Sequence, residues 1–139
     1  MRVRPFHLAF PVSDLDAARD FYGRIIGCRE GRSSESWIDF DFFGHQIVAH
    51  QVRVAGDAAT NAVDGHGVPI PHFGIVLTMP DWRDLKARFE AADVAFGVAP
   101  HIRWEGKPGE QATMFVRDPS GNALEFKAFG SDDQLFATT

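Results

Sequence analysis

Apolar and polar residues alternate through residues 6–12, FHLAFPV, with His7, Ala9 and Pro11 on one face and Phe6, Leu8 and Phe10 on the other. That period of two predicts a strand. The pattern lengthens to a helical period over residues 13–28, SDLDAARDFYGRIIGC. Ser13 is the expected N-cap, Asp14 and Asp16 suit the positive end of the helix dipole, and Leu15, Ala18, Tyr22 and Ile25 form an apolar stripe. Gly27 is placed to end the helix. Two strands follow, SWIDFDFFG and HQIVAHQVRV, as a hairpin turning near Gly44. A polar stretch at 55–69, AGDAATNAVDGHGVP, then reads as a loop of the kind that serves as lid, linker or binding segment.

After that interruption the order begins again. PHFGIVL (71–77) reads as a strand, and PDWRDLKARFEAAD (80–93) as a helix with Leu85, Phe89 and Ala92 inward. VAFGVAPHIRWEGKPGE (94–110) holds a short strand and a turn-rich loop, and QATMFVRD and GNALEFKAF form a closing hairpin. Each half runs strand, helix, two or three strands; each opens with a histidine and closes on a glycine-turned hairpin. The chain is therefore an internal duplication of α+β type. It divides into a first module at 1–54, a linker loop at 55–70, a second module at 71–130 and a short tail at 131–139.

Composition narrows the class. With 45% hydrophobic and 24% charged residues, the 139-residue chain has the makeup of an ordinary globular protein. A net charge of −5, with both signs interspersed, argues against a nucleic-acid scaffold. No run is long and apolar enough to span a bilayer, and MRVRPFHLAF has no signal-peptide core. Cys28 is the single cysteine, so no disulfide can form within the chain, and a cytoplasmic protein is expected. Just past a helix end, Cys28 reads as a packed small residue rather than a nucleophile.

The chemistry centres on Glu125, in the middle of the last apolar strand on the face of Ala123 and Lys127. A carboxylate there needs solvent, a cationic partner or a metal ion. If the halves superpose, His7 and His72 occupy equivalent places at strand starts. Two histidines and one carboxylate leave open positions on a divalent ion, the set associated with non-haem Fe(II) and suited to other divalent metals. In HIRWEGKPGEQ (101–111), Arg103 and Lys107 are candidates to meet an anionic substrate and Trp104 to stack on a ring. A solvated hairpin explains the same residues equally well.

The stretches HLAFPVSDLDAARDFYGRIIGC and HFGIVL, and above all DPSGNALEF, resemble the vicinal oxygen chelate superfamily over residues 5–129. That superfamily includes glyoxalase I, extradiol ring-cleaving dioxygenases, fosfomycin-resistance enzymes and bleomycin-binding proteins. The resemblance implies two paired βαβββ modules curled into an open, cupped mixed sheet around a divalent metal. Fe(II) is favoured, with Mn, Ni or Zn as the other candidates. It carries the ligand role to His7, His72 and Glu125, and implies a small substrate chelated through vicinal oxygens and a homodimer. Glyoxalase I-like members supply a second glutamate from the first module; counting four from each hairpin glycine, Glu125 corresponds to Val48, which cannot ligate. Gln46 and His50 stand two residues to either side and are the candidate fourth ligands. The two-histidine, one-glutamate set places ring-cleaving dioxygenase chemistry slightly ahead, with His50, and His101 behind it, as proton-handling residues. Larger ring-cleaving enzymes also place a tyrosine beside the substrate, whereas Tyr22, the single tyrosine, falls on the first helix. A glyoxalase-type lyase or isomerase is the first alternative, and a non-catalytic antibiotic- or metabolite-binding protein the second.

Overall fold

The computed structural model describes residues 2–53, 59–63 and 66–138. The chain forms two compact units, Met1–Asp57 with Asp118–Asn122, and Ala58–Arg117 with Ala123–Thr139.

In the first unit, strand β1 (His7–Val12) leads into α1 (Leu15–Ala18), a single α-turn that continues as a π-helix over Arg19–Ile26. Asp14, not Ser13, is the N-cap, and its Oδ1 accepts from Ala17 N at 3.0 Å. Ser13 instead donates its backbone N–H to Ser120 Oγ at 2.9 Å. Gly27 ends the helix at φ 92°, a conformation that glycine adopts without steric cost. Strands β2 (Arg29–Ser33), β3 (Trp37–Phe42) and β4 (His45–Gln51) complete a sheet of order β1-β4-β3-β2. Every residue of β2 is exposed, so no apolar alternation announces it; its pairing with the edge of β3 makes it a strand.

Tyr22 organises this unit's core. Fully buried, it packs against Phe10 and Phe40 with ring centroids 5.2 and 5.5 Å away, and its hydroxyl donates to Asp118 Oδ2 at 2.7 Å. Asp118 Oδ1 accepts from the backbone of Ser120 and Asn122, and Asn122 Nδ2 donates to Pro11 O at 2.6 Å. The DPSGN turn is thus part of the first unit, although the strands on either side of it belong to the second.

The second unit opens with β5 (Ala59–Val63) and β6 (His66–Ile70), an antiparallel pair. The expected loop at 55–69 is corrected by this small sheet; residues 55–58 and 64–65 of it lie outside the described residues. Its backbone groups are answered by ladder pairing even though its residues are mostly small and polar. Strand β7 (Phe73–Leu77) leads to α2 (Met79–Ala91), capped by Thr78 Oγ1, which accepts from Asp81 N. Trp82, Leu85 and Phe89 are buried, while Ala92 serves as the C-cap. Trp82 Nε1 donates to Phe126 O at 2.9 Å, fixing the helix on the sheet. Strands β8 (Phe96–Arg103), β9 (Gln111–Arg117) and β10 (Ala123–Phe129) give the order β7-β10-β9-β8. At eight residues, β8 is longer than the short strand expected, and it takes His101 and Arg103 out of the loop.

Both four-stranded sheets have one topology: the first strand runs parallel to the last, and the remaining pairs are antiparallel. Register confirms the duplication residue by residue. Leu8 pairs with Ile47 and Phe73 with Leu124, each three residues beyond its hairpin glycine, so His7 corresponds to His72. One step on, Ala9 pairs with Val48 and Gly74 with Glu125.

Two stability predictions follow from these contacts. Burial first, then the nearby Asp118 carboxylate, push the Tyr22 phenol well above its usual 10. A group whose pKa rises on folding contributes stability that is whole below its unfolded value, about 10, and is lost as pH climbs toward its folded value. Tyr22→Phe is expected to cost roughly 1–3 kcal/mol at neutral pH and to flatten the loss of stability above about pH 10, read from urea midpoints. A Cβ on Gly74 would lie 1.6 Å from the Glu125 carbonyl oxygen. Gly74→Ala therefore forces β7 away from β10, with an expected loss of at least roughly 1–3 kcal/mol by chemical denaturation.

Candidate functional site

Glu125 sits in β10 between strands on both sides, and its side chain is only 11% exposed. Three groups answer its charge. His72 Nε2 lies 2.9 Å from Oε2, Thr113 Oγ1 donates to Oε1 at 2.8 Å, and Lys127 Nζ stands 3.6 Å from Oε1. Backbone geometry delivers each of them: His72 immediately precedes β7, Thr113 is on the adjoining β9, and Lys127 is two residues along the same face of β10.

Burial alone would raise the Glu125 pKa, but the His72 hydrogen bond, the Lys127 charge and the Thr113 hydrogen bond together lower it. The His72 pKa is raised, first by its bond to Glu125, against the opposing effect of burial. The other ring nitrogen of His72, Nδ1, is 2.7 Å from Pro69 O. A carbonyl can only accept, so Nδ1 carries a proton and donates it. With Nδ1 committed, the 2.9 Å contact between Nε2 and the ionised Glu125 carboxylate carries a second proton on Nε2, in keeping with the raised His72 pKa; a metal ion bound there would take that proton's place. Metal-ligating histidines are commonly oriented in this way, one nitrogen fixed by a backbone acceptor and the other facing the ion's place.

A cavity of about 220 Å³ opens beside this pair. Val68, Val98 and Phe115, each at most 6% exposed, form a buried apolar cluster in its wall. Phe115 meets the His72 ring edge-on at 5.1 Å. His101 and Arg103 from β8 also line the cavity, as does His66 from β6. The rings of His66 and His101 lie 5.2 Å apart, and His101 Nδ1 donates to Ala99 O at 2.8 Å. Sequence reading missed His66 and Thr113. His66 falls in the stretch taken for a loop, and nothing in the sequence pairs Thr113 with Glu125 before the β9–β10 register is known.

The remaining candidates belong to the first unit or line a second cavity. In the first unit, exposed His7 is hydrogen-bonded through Nδ1 to Gln46 Oε1 at 2.8 Å, and Gln46 Nε2 reaches Asp39 Oδ2 at 3.2 Å. Val48 is buried, and His50 is exposed on β4, in register with Trp37 and Pro11. Trp104 and Lys107 line a second cavity of the second unit, together with Arg103. Among the described residues, no group of three or more His, Cys, Asp or Glu could by itself hold a metal ion. Within the second unit, His72 and Glu125 fit two coordination positions, one nitrogen and one oxygen, of a borderline divalent ion.

Comparison with known proteins places the fold. The sequence model of the family described as Glyoxalase/Bleomycin resistance protein/Dioxygenase superfamily matches residues 4–126. A glyoxalase/bleomycin resistance protein/dioxygenase from Alicyclobacillus acidocaldarius is 34% identical, with a TM-score of 0.77 over 98% of this chain and 100% of that one. The fold is shared with a fosfomycin resistance protein from Listeria monocytogenes at 18% identity and TM-score 0.72, covering 96% of this chain and 98% of that one. It is shared too with a lactoylglutathione lyase from Agrobacterium tumefaciens at 24% identity and TM-score 0.68, covering 98% of each chain. No curated protein matches the chain. Its two sheets of identical topology, its matched registers and a family match spanning both halves agree: the chain belongs to the glyoxalase/bleomycin resistance protein/dioxygenase superfamily.

Proposed function

We propose that the protein is a divalent-metal-dependent enzyme acting on a small substrate with vicinal oxygens. One observation carries the reading: Pro69 O fixes His72 through Nδ1, so that Nε2, 2.9 Å from the part-buried Glu125 carboxylate, is the nitrogen left to give up its proton to a metal ion. His72 and Glu125 would hold the ion, with His7 as the third ligand, supplied by the same chain or by a partner in a homodimer. The ion, when bound, supplies Lewis-acid polarisation and orients the chelated oxygens.

This chain's own residues do the rest. His72, Lys127 and Thr113 together keep Glu125 ionised against burial, so the carboxylate is ready as a ligand. His101, its Nδ1 proton committed to Ala99 O, presents Nε2 as the proton acceptor of the cavity, with the His66 ring tilted beside it. His50 is the proton-handling candidate of the first unit. Val68, Val98 and Phe115 keep one wall dry, which strengthens electrostatic interactions there.

Fe(II) with ring-cleaving dioxygenase chemistry is the preferred form, because two histidines and one carboxylate leave open positions for substrate and O₂, and Val48 offers no further ligand. A glyoxalase-type lyase is the second reading, favoured by Gln46, whose amide oxygen lies beside His7 as a ready fourth ligand. We place the enzyme in the cytoplasm; among the described residues no helix is long and apolar enough to cross a membrane.

Metal analysis after chelator-free purification tests the proposal. About one Fe or Mn per chain is expected, with affinity at least about tenfold weaker in Glu125→Ala. Iron with O₂ uptake on catechols supports ring cleavage, whereas nickel or zinc moves the assignment to the lyase. A chain that stays metal-free after reconstitution sinks the enzyme reading and leaves ligand sequestration.

A further inference from the structure

The second unit holds another cavity, of about 510 Å³, whose walls share Arg103 and Lys127 with the first. Its other polar walls come from Lys107, Gln111, Gln134 and Thr138, and Trp104 and Phe129 are among its apolar ones. Three cationic side chains line it, and among the described residues no Asp or Glu does. The cavity therefore favours an anion.

Two features show how it is built. The Arg103 guanidinium lies 4.4 Å from the Trp104 ring centroid, a stacked arrangement that holds both groups. Trp104 adopts φ 52°, a left-handed conformation disfavoured for a bulky residue, where the chain turns so that Lys107 N reaches Trp104 O at 3.0 Å. The more telling feature is Gln111. It is 4% exposed, and its Nε2 donates to Gly109 O at 3.4 Å. Its Oε1 is buried with no hydrogen-bond partner among the described residues. A buried acceptor is costly to leave unpaired, and a ligand carrying an N–H or O–H would satisfy it.

We propose that this second cavity is a binding site for a carboxylate flanked by a hydrogen-bond donor, the carboxylate facing Arg103, Lys107 and Lys127 and the donor facing Gln111. As the two cavities share Arg103 and Lys127, the occupant is the anionic arm of a substrate whose other end reaches His72 and Glu125. That last connection rests on the metal-enzyme reading; binding at the second cavity does not.

Titration calorimetry on the metal-free full-length chain tests it with hippurate, which carries a carboxylate, an amide N–H and a ring. Hippurate is expected to bind saturably, and its neutral methyl ester about tenfold more weakly, as expected for loss of a charge-assisted bond. Exposed Lys107→Gln, which leaves the core untouched, should weaken hippurate by about three- to fivefold. Gln111→Met, which keeps the volume and removes the acceptor, should weaken it also. Arg83→Gln, which removes an exposed cation of α2 outside this cavity, should leave binding within about twofold. No saturable binding, equal binding of the ester, indifference to Lys107→Gln, or an equal loss in Arg83→Gln would each overturn the site. A chain that binds hippurate in this way yet takes up no metal upholds the site while refuting the enzyme reading.

Discussion

The buried carboxylate of Glu125 is the constraint from which the second unit's arrangement follows. An unpaired charge at 11% exposure costs several kcal/mol, so the fold must supply partners or lose the strand. It supplies three, from three different positions in the sheet, and they outweigh the desolvation that would otherwise neutralise the acid. Each partner needs a particular register. Thr113 depends on the β9–β10 ladder, and His72 on the close approach of β7, which only Gly74 permits. The tautomer of His72 depends in turn on Pro69, at the end of the small β5–β6 sheet.

Duplication explains why this machinery has a counterpart that lacks it. The two sheets share topology and register, yet Val48 stands where Glu125 does, and Ala9 where Gly74 does. The first sheet is stabilised instead by aromatic packing around Tyr22 and by the buried hydrogen bond from its hydroxyl to the Asp118 carboxylate. That link ties the DPSGN turn into the first unit. The turn motif and the adjoining carboxylate strand therefore have separate duties: Asp118 and Asn122 anchor, and Glu125 is the charged group.

Much of this was legible in the sequence because it is written in local periods. Strands β1, β3, β4, β7, β9 and β10 and both helices announce themselves by apolar spacing, and the repeated order of elements announces the duplication. The nomination of His72 with Glu125 followed from the repeat together with the cost of a charge in an apolar strand. Elements that owe their existence to pairing with a neighbour were not legible. Exposed β2 and the polar β5–β6 sheet have no apolar stripe to read, and the extension of β8 through His101 and Arg103 is set by its ladder with β9. His66 was lost with its sheet. The N-cap fell to Asp14 because Ser13 is engaged with Ser120, which is 107 positions away in the chain.

Long-range ¹H–¹⁵N NMR of the His72 imidazole, before and after one equivalent of Zn(II), would test the central claim most directly. The account predicts a protonated Nδ1 in both states and a Nε2 resonance that moves on adding metal, with the movement lost in Glu125→Ala. A ring protonated on Nε2 alone, or a Nε2 resonance indifferent to Zn(II), would contradict it: His72 would then serve only as a hydrogen-bond partner of Glu125.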